Sequence, residues 1–390
     1  MMNYLKCLLT VAALTVYAAS QAQADWVQVG QPGFSPGQAL FIDLAVDSND
    51  IPYVAYKDYA NTDKAIVMRF DGTNWVQVGN EGFSAGEVWD TKLAIDKNGT
   101  PYIAYVDGAN GYRSSVMRFD GTNWVQVGEA GFSPAYVAYL DFTLDANGTP
   151  YITYTDSANG NRISVMRFDG TDWVQVGEAG FSAGLTQDKR LAIDHSGTPY
   201  VAYMDWDGID GDSAKINAMR FDGTNWMQVG KAGFAPSAVP ASLAIDRRGT
   251  PYLAYADGMN GGKASVMRFD GTNWVRIGKA GFSPGQALNI DMALDRSGRP
   301  HVAYVNGDLH GPSSWKASAM QFNGRSWVQI GKAGFSAGEA YETSLAIDSR
   351  STHYVAYKDY ANDGRISVMK FVSQRSSTPP CKGLDCPIRN

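Results

Sequence analysis

The chain is short of the residue types that most often carry chemistry. Of 390 residues three are cysteine, and Cys7 sits in the first apolar stretch, which leaves only Cys381 and Cys386 beyond it. That supply excludes a thiolate metal cluster or an iron–sulfur centre in the body of the chain. The four histidines, His195, His301, His310 and His353, stand at no metal-ligand spacing. Charged residues make up 18%, the net charge is −6 and no basic block occurs, so a phosphate-tracking surface for nucleic acid is not expected. Beyond the N-terminus no apolar run approaches the length that crosses a bilayer. A Gly-rich phosphate loop and a nucleophile elbow are also missing. No segment sustains a helical period of apolar residues.

The two ends differ from the middle. "MMNYLK" is a short polar start, "CLLTVAALTVYAA" is an apolar stretch too short to span a membrane, and "QAQA" ends small-x-small. Residues 1–24 therefore read as a secretion signal cleaved after Ala24, which predicts a secreted or periplasmic protein. Residues 373–390 are Ser- and Pro-rich and hold "CKGLDC". In an oxidising compartment Cys381 and Cys386 are expected to close a small disulfide loop on a flexible tail.

Abundance begins with glycine, 42 residues, and aromatics, 12%. Both come from one recurring phrase. "FDGTNWVQVG" occupies 70–79 and 119–128, and looser copies follow at 168–177, 221–230, 269–278 and 322–331. The phrase tryptophans, Trp26, Trp75, Trp124, Trp173, Trp226, Trp274 and Trp327, are spaced by 49, 49, 49, 53, 48 and 53 residues. Each unit reads as four short strands: "LAID", a hairpin turn such as "KNGTP", "YIAY", a polar loop, "SVMRF", the turn "DGTN", and "WVQVG". Proline at the entrance of the second strand is tolerated, because that position need not donate to the ladder. Both alternating faces of "YIAY" and "SVMRF" carry apolar or large residues, so both faces must be covered. Four-stranded sheets stacked face to face around an axis satisfy that demand, and a period near 50 residues fits a propeller blade.

The segment from residue 25 begins on a bare "WVQVG" and the repeats end on "SVMKF" (367–371), with no tryptophan strand after it. Seven sets of three strands and seven tryptophan strands are thus offset by one. The expected fold is an all-β, seven-bladed β-propeller over 25–372, its ring closed by the N-terminal strand completing the last blade, which also removes exposed sheet edges. "LAIDKNGTPYIAYVD" resembles the strand–turn–strand signature of NHL-type repeats, and the whole unit resembles repeats of secreted bacterial propellers of the sialidase-like and lectin-like kinds. The resemblance implies architecture; "DGTNW" spaces its aspartate and tryptophan one residue closer than a sialidase Asp-box does.

The hairpins "DxNGTP" and "FDGTNW" share one nearly uniform rim, which reads as scaffold, and the loops after "YVAY" and "WVQVG" share a divergent rim. Divergent loops on a stiff frame are where binding is usually placed. Three tryptophans outside the phrase, Trp89, Trp206 and Trp315, fall there, as do Tyr59, Tyr112, Tyr136, Tyr139, Tyr341 and Tyr360. Aromatic faces beside polar groups can stack on sugar rings, or they can pack their own loops. A polar trio recurs in the same loops: Asp107, Asn110 and Arg113; Asp156, Asn159 and Arg162; Asp359, Asn362 and Arg365. Asp and Asn cap turns as readily as they bind ligands, so each trio is either a turn device or one of several shallow, avidity-coupled sites.

Blade four inserts "DWDGIDGDS", whose Asp205, Asp207, Asp210 and Asp212 offer oxygen ligands for calcium or else form a solvated acidic loop. Blade six inserts "NGDLHGPSSWK", with His310. Around the axis, the residues preceding each first strand are Asp43, Lys92, Asp141, Arg190, Ser242, Asp291 and Ser344, and two positions earlier stand Asp90, Asp188 and Glu342. Converging carboxylates there could run glycoside cleavage, or could belong to a salt-bridged channel mouth. The sequence thus predicts a secreted module recognising a glycan or cell-surface partner through its divergent rim. An axial-pocket hydrolase or lyase using Asp90, Asp188 and Glu342, or a protein–protein scaffold, stands as the alternative.

Overall fold

The computed structural model describes residues 25–206, 214–307 and 315–372. Residues 1–24, read from the sequence as a secretion signal, the tail with Cys381 and Cys386, and most of the two long insertions lie outside the described residues. Seven antiparallel sheets are present, each with a four-stranded core. Blade two shows the plan: an inner strand Val88–Ile95, a second strand Pro101–Asp107, a third strand Arg113–Phe119 and an outer strand Trp124–Gln126. The second strand of blade one is buried at every position, as expected for a sheet covered on both faces. Ring closure follows the expected offset: Asp25–Gln28 pairs antiparallel with Arg365–Val372, Trp26 opposite Phe371. Blade four departs in one respect, because Ala235–Pro236 adds a short pairing to its third strand.

The inner strands are longer than "LAID". Each spans eight or nine residues and is broken by a register shift, between Trp89 and Lys92 in blade two. Such a bulge inserts an extra residue and increases local twist. Five bulge residues take positive φ: Phe41, Asp90, Tyr139, Asn289 and Glu342, between 47° and 55°.

The recurring phrase is a clasp between neighbouring blades. Trp124, on the outer strand of blade two, stacks on Phe83 of the preceding linker at 4.4 Å, and its indole Nε1 donates to the Val78 carbonyl at 2.8 Å. The same pair of contacts recurs at every junction, down to Trp26, which stacks on Phe335 at 4.1 Å and donates to Ile330. The intervening glycine is obligatory for space: a Cβ on Gly79, which has φ +70°, would meet the Trp124 ring at 2.9 Å. Seven apolar clusters fill the ring, most of them drawn from two adjoining blades.

Candidate functional site

The connectivity places the loops after the second strands, and the linkers from each outer strand to the next inner strand, on one rim. In blades one, two, three, five and seven the second strand ends in an aspartate followed by a single 3₁₀ turn, which the carboxylate caps in all of these but blade five. Asp107 accepts the Ala109 amide at 3.0 Å, the Asn110 side-chain amide at 2.9 Å and the Ser115 hydroxyl at 2.7 Å. Asp156 and Asp359 repeat the set with Asn159 and Ser164, and with Asn362 and Ser367. The carboxylate and amide of each trio are therefore spent on the turn, and Asp107, Asp156 and Asp359 are buried. Only the arginines, Arg113, Arg162 and Arg365, stand exposed. Asp205 takes the same strand-end place and accepts from Asn217 at 3.2 Å. Asp207, Asp210, Asp212 and His310 lie outside the described residues, and no group of three or more His, Cys, Asp or Glu suited to a metal occurs among the described ones.

The aromatic residues do gather on this rim. Tyr59, Trp89, Tyr112, Tyr136, Tyr139 and Tyr360 are each between 43% and 55% exposed. They form an arc rather than an even ring. Trp315 of blade six stacks on Tyr341 of blade seven at 5.7 Å, and Tyr360 meets Tyr341 edge-on at 5.3 Å. Between blades one and two, Phe41 tilts against Trp89 at 5.9 Å. The Lys57 ammonium, almost wholly buried, lies 4.0 Å from the Trp89 ring centre and 3.7 Å from the Asp63 carboxylate. A cation against the face of an indole fixes the ring's orientation. The Tyr112 hydroxyl donates to Glu87 at 2.7 Å. Trp206 ends the second strand of blade four, opposite Leu185.

The inner strands enclose an axial cavity of about 640 Å³. All seven predicted axial residues line it, together with Asp90 and Glu342, but Asp188 does not. The blade-four register shift falls between Thr186 and Lys189, earlier in its strand than the shifts of blades one to three. Lys189 is buried, as are Thr91 and Leu140 at the same position of blades two and three; its Nζ donates to the Thr155 hydroxyl at 2.6 Å, and the expected trio of acids does not converge. The remaining acids are tied to neighbouring blades. Asp43 accepts the Leu93 amide at 2.7 Å, Asp141 the Leu191 amide at 2.8 Å and Asp291 the Leu345 amide at 2.8 Å. Asp90 accepts the Tyr139 amide at 2.9 Å and Glu342 the Ile42 amide at 3.3 Å. Arg190 donates to the Ala241 and Lys189 carbonyls. Burial pushes Asp43 up to about 6, against the pull of Lys92, and burial also raises Asp90 and Glu342. Burial works to lower Lys92, but the carboxylates of Asp43, Asp141 and Asp291 leave it raised. Lys189 is lowered to about 7 by burial, which Asp90 opposes.

One cluster has no signature within a single repeat. His353 Nε2 lies 2.7 Å from His301 Nδ1, and His301 Nε2 lies 3.4 Å from Asp295, all three buried beneath the uniform rim of blades six and seven. The histidines are 52 positions apart, one repeat, which is the signal that adjacent blades could bring them together. His195 stays exposed in its hairpin.

No family model matches the chain, and no curated protein matches it. Solved structures do. YCF48 bound to a D1 peptide is 13% identical, over 92% of this chain and 98% of that one, with a TM-score of 0.57. An ulvan lyase bound to -[GlcA(1-4)Rha3S]- is 14% identical, over 89% and 94%, at 0.51. The SapL1 lectin in complex with alpha methyl fucoside is 16% identical, over 76% and 97%, at 0.50. At such identities the likeness is one of fold, and it agrees with the sheets, the closure and the clasps: this chain is a seven-bladed β-propeller, similar in fold to a lectin and to a polysaccharide lyase.

Proposed function

We propose that the protein is an exported binding module that recognises glycans through the aromatic arc of its divergent rim. The observation that carries this reading is the placement of exposed apolar side chains. Of the twelve large ones among the described residues, nine lie on this rim: Tyr59, Trp89, Tyr112, Tyr136, Tyr139, Leu185, Val239, Met259 and Tyr360. Half-exposed aromatic rings that are held by cations and neighbouring rings are suited to stacking on the apolar face of a sugar. Export is supported by the N-terminal sequence pattern, and sugar recognition has a precedent on this fold in the SapL1 lectin.

A cell-bound or multivalent glycan array tests the proposal. Binding should fall about ten-fold or more with Trp89→Ala or Tyr360→Ala, the loss typical of a buried aromatic anchor. An array on which these variants match the native protein rejects it. The second reading is an axial-cavity enzyme, favoured by the raised Asp90 and Glu342 carboxyls. It requires product release from a polysaccharide panel that is lost on Asp90→Asn or Glu342→Gln. Silence in both assays turns attention to a protein partner.

A further inference from the structure

The rim opposite the aromatic arc has nearly uniform turns, yet its surface is not flat. Between consecutive blades, from the one–two boundary to the four–five boundary, lie four clefts of about 410, 450, 340 and 510 Å³. Their walls repeat. The second is lined by Tyr102, Arg118, Arg167 and the turn Asp169–Gly170, together with the "NGTP" hairpin of the next blade. Each inner arginine serves two clefts, so Arg69, Arg118, Arg167, Arg220 and Arg268 form one continuous series across five blades.

The fold does not require these arginines. All five are exposed on third strands whose apolar neighbours are buried or half-buried. None makes a side-chain hydrogen bond or ion pair among the described residues, where the ion pairs involve other groups. Blade six builds the same strand with Gln321 in this position. The turn aspartate is already engaged: Asp120 accepts the Thr122 and Asn123 amides through one oxygen. What each cleft offers a ligand is two guanidinium groups, a tyrosine ring and one carboxylate. A guanidinium fork matches a carboxylate or sulfate geometrically. The tyrosine ring supplies a stacking face, and the volume suits a single sugar unit.

We propose that the uniform rim carries four equivalent subsites for an acidic polysaccharide, one carboxylate- or sulfate-bearing sugar per cleft, held between successive arginines. One weak subsite per blade becomes strong attachment when a repetitive polymer engages several at once. The protein's own net charge of −6 would repel such a polymer elsewhere, so contact is confined to the arginine series. The series is separate from the aromatic arc, and the two rims would let one molecule bridge two different ligands.

Affinity electrophoresis of the full chain in gels containing polygalacturonate, its methyl-esterified neutral form, heparin or polyglutamate tests this. Arg118→Gln, Arg167→Gln and Arg220→Gln copy the residue blade six already uses, and thermal melting should confirm that the fold is unchanged. The expected result is retardation by polygalacturonate or heparin but not by the ester. Retardation should weaken a few-fold in each single variant and about a hundred-fold in the triple variant. Trp89→Ala should leave it intact. Polygalacturonate against heparin tells carboxylate from sulfate. The proposal is overturned by indifference to all acidic polymers, by equal binding of the ester, by survival of binding in the triple variant, or by polyglutamate binding as well as either saccharide.

Discussion

Ser351 takes φ +65° in the hairpin of blade seven, where Gly99, Gly148 and Gly249 hold φ between 82° and 89° in theirs. A non-glycine residue is strained there by about 1 kcal/mol. Ser351→Gly should be neutral to stabilising by up to that amount, read as an unchanged or raised urea midpoint; a clear fall would mean the serine has a role beyond the turn. Asp50, with φ +66°, differs because its carboxylate accepts from the Ser349 amide at 2.7 Å and hydroxyl at 2.9 Å across the ring closure. Asp50→Gly should therefore destabilise. The buried histidines set a pH dependence. Burial lowers both, and His353 reaches about 3. Groups protonated more readily when unfolded add stability that is present above the unfolded value, about 6.5, and is lost as pH falls toward 3. Asp43, raised to about 6, acts oppositely: between about 4 and 6 the folded form holds the extra proton and gains stability on acidification. The paired replacement His301→Tyr with His353→Pro restores what other blades carry. It should flatten the fall in melting temperature between pH 7 and pH 5, and an unaltered fall would remove the pair from the account.

At the scale of the element, the unit of stability is the junction rather than the blade. Each clasp joins an outer-strand tryptophan to the linker before it by stacking and by one indole hydrogen bond. Trp124→Phe keeps a ring beside Phe83 but leaves the Val78 carbonyl without its donor, a loss of about 1–3 kcal/mol. Trp124→Ala removes the ring as well and should cost about 3–5 kcal/mol. Equilibrium denaturation of both variants separates the two contributions. Equal losses would show that the hydrogen bond, not the stack, dominates. The inner-strand bulge is the other element-level device. Its positive-φ residue re-aims Asp90 and Glu342 toward neighbouring backbone amides.

At the scale of the molecule, closure rests on four residue pairs between Asp25–Gln28 and Arg365–Val372, on the Trp26–Phe335 stack and on the Trp26 bond to Ile330. A chain lacking residues 25–28 would present an unpaired strand edge on blade seven, which invites association between copies. It should melt at lower temperature and self-associate, and a synthetic peptide of residues 25–34 added in trans should restore the monomer. A truncated chain that stays monomeric and equally stable would show that the other six junctions hold the ring unaided.

How much of this was legible follows from where the information lies. Strands, turns, the number of blades and the offset of the closing strand are written locally, as alternation, Asn-Gly turns and a phrase repeated at a near-constant period. They could be read without coordinates. The gathering of Trp89, Tyr59 and Tyr360 on one rim followed from connectivity alone, because every blade runs in the same direction. The fate of each aspartate trio did not, since Asp107 and Asn110 become turn caps only once Ser115 is folded beneath them. Asp188 stays off the axis in a strand whose register shift falls earlier than in blades one to three, and no local pattern marks that displacement. The His301–His353 contact and the shared arginine clefts exist only between blades. A repeating sequence therefore determined the blade and its count, while the tertiary ring decided every feature made by two blades together, because contacts between residues a full repeat apart are created by stacking and have no signature within either repeat.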